Sequence, residues 1–347
     1  MRLLHQDTRT GEIKFQIDNM DDLWHLYNII QKEDLVLAVT FRREEQKSDK
    51  VRSDRGEKKR VFLGIRVEKV EFHEFESRLR VTGIIEQGPQ DLGSYHTLNL
   101  EQGDSISVIK DHWRAPTLER VRRAVEDSKR PTIVFVSLEY DEATIAVLRQ
   151  YGIQNVATIY GPSSGKMYEQ KEDLSYYDEI IEKMKQLASG GVPIIVLGPG
   201  FAKETLVMEG KMKEPDMFKK AFIYHTGQAG MAGIHELMKK GIGAEVLEGS
   251  RVAQETNEVE KVLEEIAKGG PVAYGPKEVE QAVNAGAVLT LLVLDPLIRE
   301  KNLDALMKAV EDARGTVMVV SEHHEAGKKL EAIGGIAALL RFKIAPS

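Results

Sequence analysis

The 347-residue sequence contains no cysteine. Disulfides, thiolate metal sites and a cysteine nucleophile are therefore excluded. No stretch approaches the roughly 20 apolar residues that a membrane-spanning helix needs. The opening MRLLHQDTRTGEIKF lacks the apolar segment of a signal peptide, so a cytoplasmic protein is expected. The common catalytic motifs are missing as well. A phosphate loop has four residues between its glycines and a Ser or Thr after its lysine. Here three residues separate Gly161 from Gly165, and Met167 follows Lys166, so nucleotide hydrolysis is not expected. There is no GxSxG nucleophile elbow. Glu322-His323-His324-Glu325 lacks the HExxH spacing that sets two ligands on one helix face, and it reads as a surface loop after a strand.

The residues that are present describe an ordinary multidomain chain. Hydrophobic residues make up 42%, charged residues 30%, and the formal net charge is -7. Cores can form, and the acidity confines any nucleic-acid contact to a local patch. The first part is β-rich, with strands expected at 12–17, 35–41, 61–70, 78–86 and 105–110. Ile13, Phe15 and Ile17 alternate with Lys14 and Gln16, the period of a half-buried strand. Leu23, Leu26, Tyr27 and Ile30 recur at helical spacing between the first two strands. One helix among short strands suggests a small barrel. Residues 88–101 read as a surface loop with room for a strand at 96–100. Pro116 and Thr117 open a connecting helix, apolar at Leu118, Val121 and Val125 and basic at Arg120, Arg122 and Arg123.

After residue 130 the rhythm becomes α/β. Strands are expected at 132–138, 154–159, 192–197 and 220–225. Helices are expected at 142–151, 174–189, 202–213 and 231–240. Continuous apolar runs mark strands buried on both faces, which favours a mostly parallel sheet. From residue 252 the pattern repeats on a smaller scale. Helices fall at 255–268, 277–285, 303–312 and 326–333, and strands at 287–294, 316–320 and 337–342, an α/β/α sandwich. The expected domains are 1–127, 128–251 and 252–347.

Three places could carry function. The stretch 47–60, KSDKVRSDRGEKKR, sets Lys47, Lys50, Arg52, Arg55, Lys58, Lys59 and Arg60 against Asp49, Asp54 and Glu57, a local charge of +4. Its only apolar residue is Val51, so it adds nothing to a core. Clustered Lys and Arg gain affinity for phosphate backbones by releasing counterions; the alternative is a solvated loop. Asp21 and Asp22 begin a helix, where carboxylates usually cap and complement the dipole, or they could hold a nuclease metal. Gly198-Pro199-Gly200-Phe201 leaves a strand and enters a helix. It is either an anion-binding turn or a plain tight turn, and it lacks the third glycine of a dinucleotide fingerprint.

The ordered combination of 287–299 (AVLTLLVLDPLIR), 334–342 (GGIAALLRF), the 198–201 turn and the opening MRLLHQDTRTGEIKFQIDNMDDLWHLYNII resembles the Pelota family. Pelota proteins are archaeal and eukaryotic ribosome-rescue factors related to class-1 peptide-release factors. The likeness covers nearly the whole chain. It implies an Sm-like β-barrel, a release-factor-like α/β central domain, and a third domain like the kink-turn-binding ribosomal proteins, here a protein-docking module. It implies that a monomer binds the empty A site of a stalled ribosome, with the 47–60 loop reaching toward the messenger channel. The implied partners are an alpha-type elongation factor GTPase, contacted through Pro199, Gly200 and Phe201, and a ribosome-splitting ABC-type ATPase. No membrane contact is implied. The family description also carries a divalent-metal-dependent endoribonuclease activity in the first domain, for which Asp21 and Asp22 are the candidates. The Gly-Gly-Gln tripeptide of release factors is absent: the equivalent loop, near 161–173, reads GPSSGKMYEQKED, and Thr226-Gly227-Gln228 is one glycine short. Binding without peptidyl-tRNA hydrolysis is the expectation.

Overall fold

Period-two alternation becomes period-two burial in the first part of the chain: Ile13 and Phe15 are buried and Lys14 is exposed. The computed structural model describes residues 1–7, 9–43, 58–73, 76–128, 132–161, 174–187, 192–247, 250–300 and 303–344. It separates into two compact units, Met1–Arg130 and Pro131–Ser347. Among the described residues no helix is long and apolar enough to cross a membrane.

The first unit runs β1 (Arg2–Asp7), β2 (Glu12–Gln16), α1 (Met20–Ile29), β3 (Leu35–Arg43), β4 (Lys58–His73), β5 (Arg78–Gln87), β6 (Tyr95–Leu100), β7 (Ser105–Ile109) and α2 (Ala115–Asp127). Its sheet has the order β1-β2-β7-β3-β4-β5-β6, with antiparallel pairing throughout. The sheet curls. β3 and β6 are not sheet neighbours, yet Thr40 Oγ1 lies 3.1 Å from His96 Nε2. Register shifts at Gly64/Ile65 and Val67/Lys69 bend the long β4, as bulges do. The curled face and α1 enclose one core of Ile13, Phe15, Leu23, Leu26, Leu63, Ile65, Val81 and Leu98. The connecting helix belongs to this unit: Val121 and Ala124 of α2 join the core, and Arg120 stacks over Trp24, 5.9 Å from the ring centroid. Its basic face is partly neutralised, because Glu119 binds Arg122 at 2.6 Å and Arg123 at 2.9 Å.

The second unit begins with β8 (Ile133–Leu138), β9 (Glu142–Leu148), β10 (Ile153–Tyr160), α3 (Leu174–Lys185), β11 (Ile194–Gly198), α4 (Ala202–Lys213), α5 (Pro215–Phe218), β12 (Ala221–His225), α6 (Gly230–Lys239) and α7 (Ala244–Leu247). The sheet order is β10-β9-β8-β11-β12. The helix expected at 142–151 is in fact strand β9. Both of its faces are apolar, with Ala143, Ile145 and Val147 against α3 and α4, and Ala146 on the α6 side, so it has no helical stripe to bury. β8, β9 and β10 therefore pair antiparallel, while β8, β11 and β12 pair parallel. The sheet is mixed, where a mostly parallel one was expected.

The unit continues with α8 (Arg251–Lys268), β13 (Val272–Tyr274), α9 (Pro276–Asn284), β14 (Val288–Leu294), α10 (Asp295–Glu300), α11 (Asp304–Asp312), β15 (Thr316–Val320), α12 (Glu325–Ala332) and β16 (Ile336–Leu340). Its sheet order is β13-β16-β14-β15. α9 and α11 supply Val279, Ala282, Met307 and Val310 to one face. α8 and α12 supply Val259, Val262, Ala326 and Leu330 to the other. This is the expected α/β/α sandwich.

Candidate nucleic-acid interface

The end of the basic stretch that is described lies on β4. Lys58, Lys59 and Arg60 open β4 and pair in register with Arg43, Arg42 and Phe41; they are strand, not loop. Lys59 and Arg60 are exposed. Lys47, Lys50, Arg52 and Arg55 lie outside the described residues. Arg42 is held on the inner side by Asp91 at 2.7 Å, beside His96. Burial, reinforced by the Arg42 charge, pushes the His96 imidazole below its ordinary range, so this ring meets Thr40 as a neutral partner.

Asp22 is a cap. Asn19 is the N-cap of α1, its side chain accepts the Asp22 N–H at 3.0 Å, and the Asp22 carboxylate accepts the Asn19 N–H at 3.2 Å, a reciprocal capping box. The same carboxylate accepts the Asp18 N–H at 2.7 Å and pairs with the buried Met1 ammonium. Both Asp22 oxygens are thus engaged inside the fold. Among the described residues no group of three His, Asp or Glu side chains could hold a metal ion. Asp22 is thus committed to the helix cap and to the Met1 ammonium.

The Gly198-Pro199-Gly200-Phe201 turn is built to hold one side chain out. Gly198 has φ +144°, and a Cβ there would sit 2.1 Å from the Leu138 carbonyl oxygen. Gly200 has φ +64°. The buried Lys203 ammonium donates to the Gly200 carbonyl, and the Thr226 N–H reaches the Gly198 carbonyl at 3.5 Å. Phe201 at the head of α4 is 74% exposed. On the 161–173 loop, residues 162–173 lie outside the described residues.

Glu322-His323-His324-Glu325 is not a surface loop, because His324 is the buried N-cap of α12 and takes the Gly327 N–H on Nδ1 at 3.3 Å. That leaves Nε2 to donate, and it lies 2.6 Å from Glu255 Oε2. Glu255, 1% exposed, also binds Arg251 and accepts the Ser321 N–H at 2.9 Å. Burial drives the Glu255 carboxyl upward, but the opposing pull of Arg251 and then His324 outweighs it and holds the group below its usual range. Ser321 Oγ donates to the Tyr151 carbonyl at 3.1 Å, so the β9–β10 turn is tied to the last sheet. His235 of α6 adds a contact to Glu325 at 2.8 Å. Sequence patterning missed this cluster; its one signal is a glutamate, Glu255, one helical turn before Val259 on the apolar stripe of α8.

Comparison with known proteins covers the same ground. The Pelota N-terminal domain model matches residues 1–125, and the eRF1 domain 3 model matches residues 252–344. A pelota homolog of Pyrococcus horikoshii is 43% identical across 99% of this chain and 100% of its own length. The chain belongs to the Pelota family. The crystal structure of the Thermoplasma acidophilum Pelota protein superposes with a TM-score of 0.78 at 25% identity, covering 99% of this chain and 100% of that one. An archaeal translation termination factor gives a TM-score of 0.56 at 19% identity over 93% of this chain and 98% of its own, a likeness of fold alone. The Pelota match thus spans the curled barrel, the mixed sheet with its Phe201 turn, and the final sandwich.

Proposed function

We propose that this chain recognises stalled ribosomes in the cytoplasm by occupying the empty A site. The first unit enters the decoding region and turns the β3–β4 arm toward messenger RNA. An alpha-type elongation factor GTPase delivers the protein and docks on Pro199, Gly200 and Phe201. A ribosome-splitting ABC-type ATPase then completes subunit dissociation, and the message passes to quality control. The observation that carries this reading is a Pelota-family chain, matched over 99% of its residues, with no Gly-Gly-Gln tripeptide anywhere in its 347 residues. The protein fills the site a release factor fills and lacks the tripeptide that positions water on peptidyl-tRNA.

The test is a splitting assay on purified stalled complexes with the GTPase and the ATPase present, followed by sizing of the message and of peptidyl-tRNA. Split subunits with intact peptidyl-tRNA are expected. Released peptide, or no splitting, refutes the proposal. Replacing Lys58, Lys59 and Arg60 with Ala should weaken ribosome binding and flatten its salt dependence, because fewer counterions are released. The endoribonuclease alternative is tested in the same assay by sizing the message with and without EDTA.

A further inference from the structure

The β3–β4 arm exposes an apolar face that the fold does not use. β7 pairs with β3 only as far as Ala38, and β5 pairs with β4 only from Gly64 onward. Beyond those residues, among the described residues, the two strands pair in register only with each other. Thr40–His96 and Arg42–Asp91 anchor one face of this ribbon. On the opposite face Val39 lies directly across from Phe62, and Phe41 directly across from Arg60. Val39 is 41% exposed, Phe62 56% and Phe41 64%.

Outward positions on a solvated antiparallel sheet are normally polar, and apolar residues on a projecting ribbon invite aggregation. Two phenylalanines placed there call for an occupant. Three side chains are too few to anchor the roughly 800 Å² per partner of a stable protein interface. The charge also selects the partner: Arg60 stands beside the rings, in the segment with a local charge of +4. Aromatic faces with a guanidinium alongside are the means by which proteins hold unpaired bases without reading their sequence. We infer that Phe41 and Phe62 form a stacking platform for unpaired bases of single-stranded RNA, with Val39 flooring it and Arg60 on the phosphate backbone. Duplex RNA, whose bases are stacked internally, does not use it. The inference deepens the ribosome reading and rests on it for which RNA strand the platform meets.

The experiment uses the full chain and a labelled single-stranded RNA of about ten nucleotides, within the usual span of such sites. Anisotropy titrations compare the unaltered protein with Phe41→Ala, Phe62→Ala, the matching Leu and Tyr substitutions, and Arg60→Ala. Both rings are exposed, so the fold should survive, and circular dichroism verifies it. Each Ala or Leu substitution should weaken binding at least about fivefold, the lower end of what stacking one base contributes. Tyr should stay within about twofold of the unaltered protein, and the salt slope should not change with the ring. Arg60→Ala should reduce that slope by about 0.7, one phosphate contact on a single strand. Full RNA binding by the Leu variants would show that no aromatic ring is needed, and would overturn the platform. Undiminished binding by the Ala variants, or an equal loss on duplex RNA, overturns it too. The splitting assay separates the two proposals. Unaltered protein that splits ribosomes while the Ala variants hold RNA normally refutes the platform alone. Unaltered protein that fails to split while the Ala variants lose RNA refutes the ribosome reading alone.

Discussion

Glu255 is the residue on which the stability of the second unit can be tested most sharply. Its carboxylate is buried and takes hydrogen bonds from Arg251, the Ser321 N–H and His324 Nε2. Glu255→Ala strands the His324 imidazole N–H in the interior and leaves the half-buried Arg251 guanidinium with the Val319 carbonyl as its remaining acceptor. Breaking a buried pair this way costs about 3–5 kcal/mol. Glu255→Gln keeps one acceptor and should cost less, about 2 kcal/mol, the value of a hydrogen bond to a charged group. For a unit of this size each kcal/mol moves the melting temperature by about 2–4 °C, so the Ala variant should melt roughly 6–20 °C lower. Differential scanning calorimetry of the full chain reads this as a shift of one transition. The acid dependence has a definite sign. The folded carboxyl is depressed below its ordinary 4.5, so the unfolded chain takes up the proton first. The stability difference between the unaltered protein and Glu255→Gln is therefore complete above about pH 4.5 and shrinks as pH falls through the folded value. An Ala variant melting within about 2 °C of the parent, or a difference that grows on acidification, would refute the account of this cluster.

Three further outcomes are expected. Gly198→Ala forces a Cβ into the Leu138 carbonyl at a positive φ and should lower stability by at least about 2 kcal/mol in a denaturant titration, given typical backbone strain. Phe201→Ala, at an exposed position, should leave the denaturation midpoint within about 0.5 kcal/mol while abolishing retention of the GTPase partner on a pull-down; unchanged retention would remove Phe201 from that contact. Asp22→Ala removes both the capping box and the partner of the Met1 ammonium and should cost about 3–5 kcal/mol, read by thermal unfolding. Any RNA-cleaving activity in the preparation should be insensitive to this substitution at temperatures where the variant stays folded.

Local pattern revealed much of this architecture, and long-range contact accounts for what it concealed. α4 at 202–213 and β15 at 316–320 were legible to the residue, because the 198–201 turn and Pro215 bracket the first and Gly315 opens the β-branched run of the second. β9 was misread because Ala143, Ile145 and Val147 bury toward one layer and Ala146 toward the other. With both faces apolar, period cannot separate strand from helix. β1 carries no strand signal, since its residues are mostly exposed and long-range partners order it: pairing with β2 and the Arg2–Asp18 bridge. β13 is three residues long, too short to announce itself. At the candidate sites, the glycines at 198 and 200 were visible as a turn, but the geometry that thrusts Phe201 outward depends on Leu138 and Lys203. The burial of His324 depends on Glu255, 69 positions away, which no local window joins to it. Phe41 and Phe62 escaped notice because the register that brings them to one face spans the connection between β3 and β4.

The position of β16 has a consequence for how the chain is made. It is the last strand in sequence, yet it lies between β13 and β14 and bonds to both. During vectorial synthesis every other strand of that sheet leaves the ribosome first and must wait. Until Ile336–Leu340 arrives, β14, with Leu291, Leu292 and Val293 destined for full burial, presents an open apolar edge, the kind that pairs with other chains. A message broken before the codon for Ile336 would therefore yield a product whose last sheet cannot close and which is prone to aggregate.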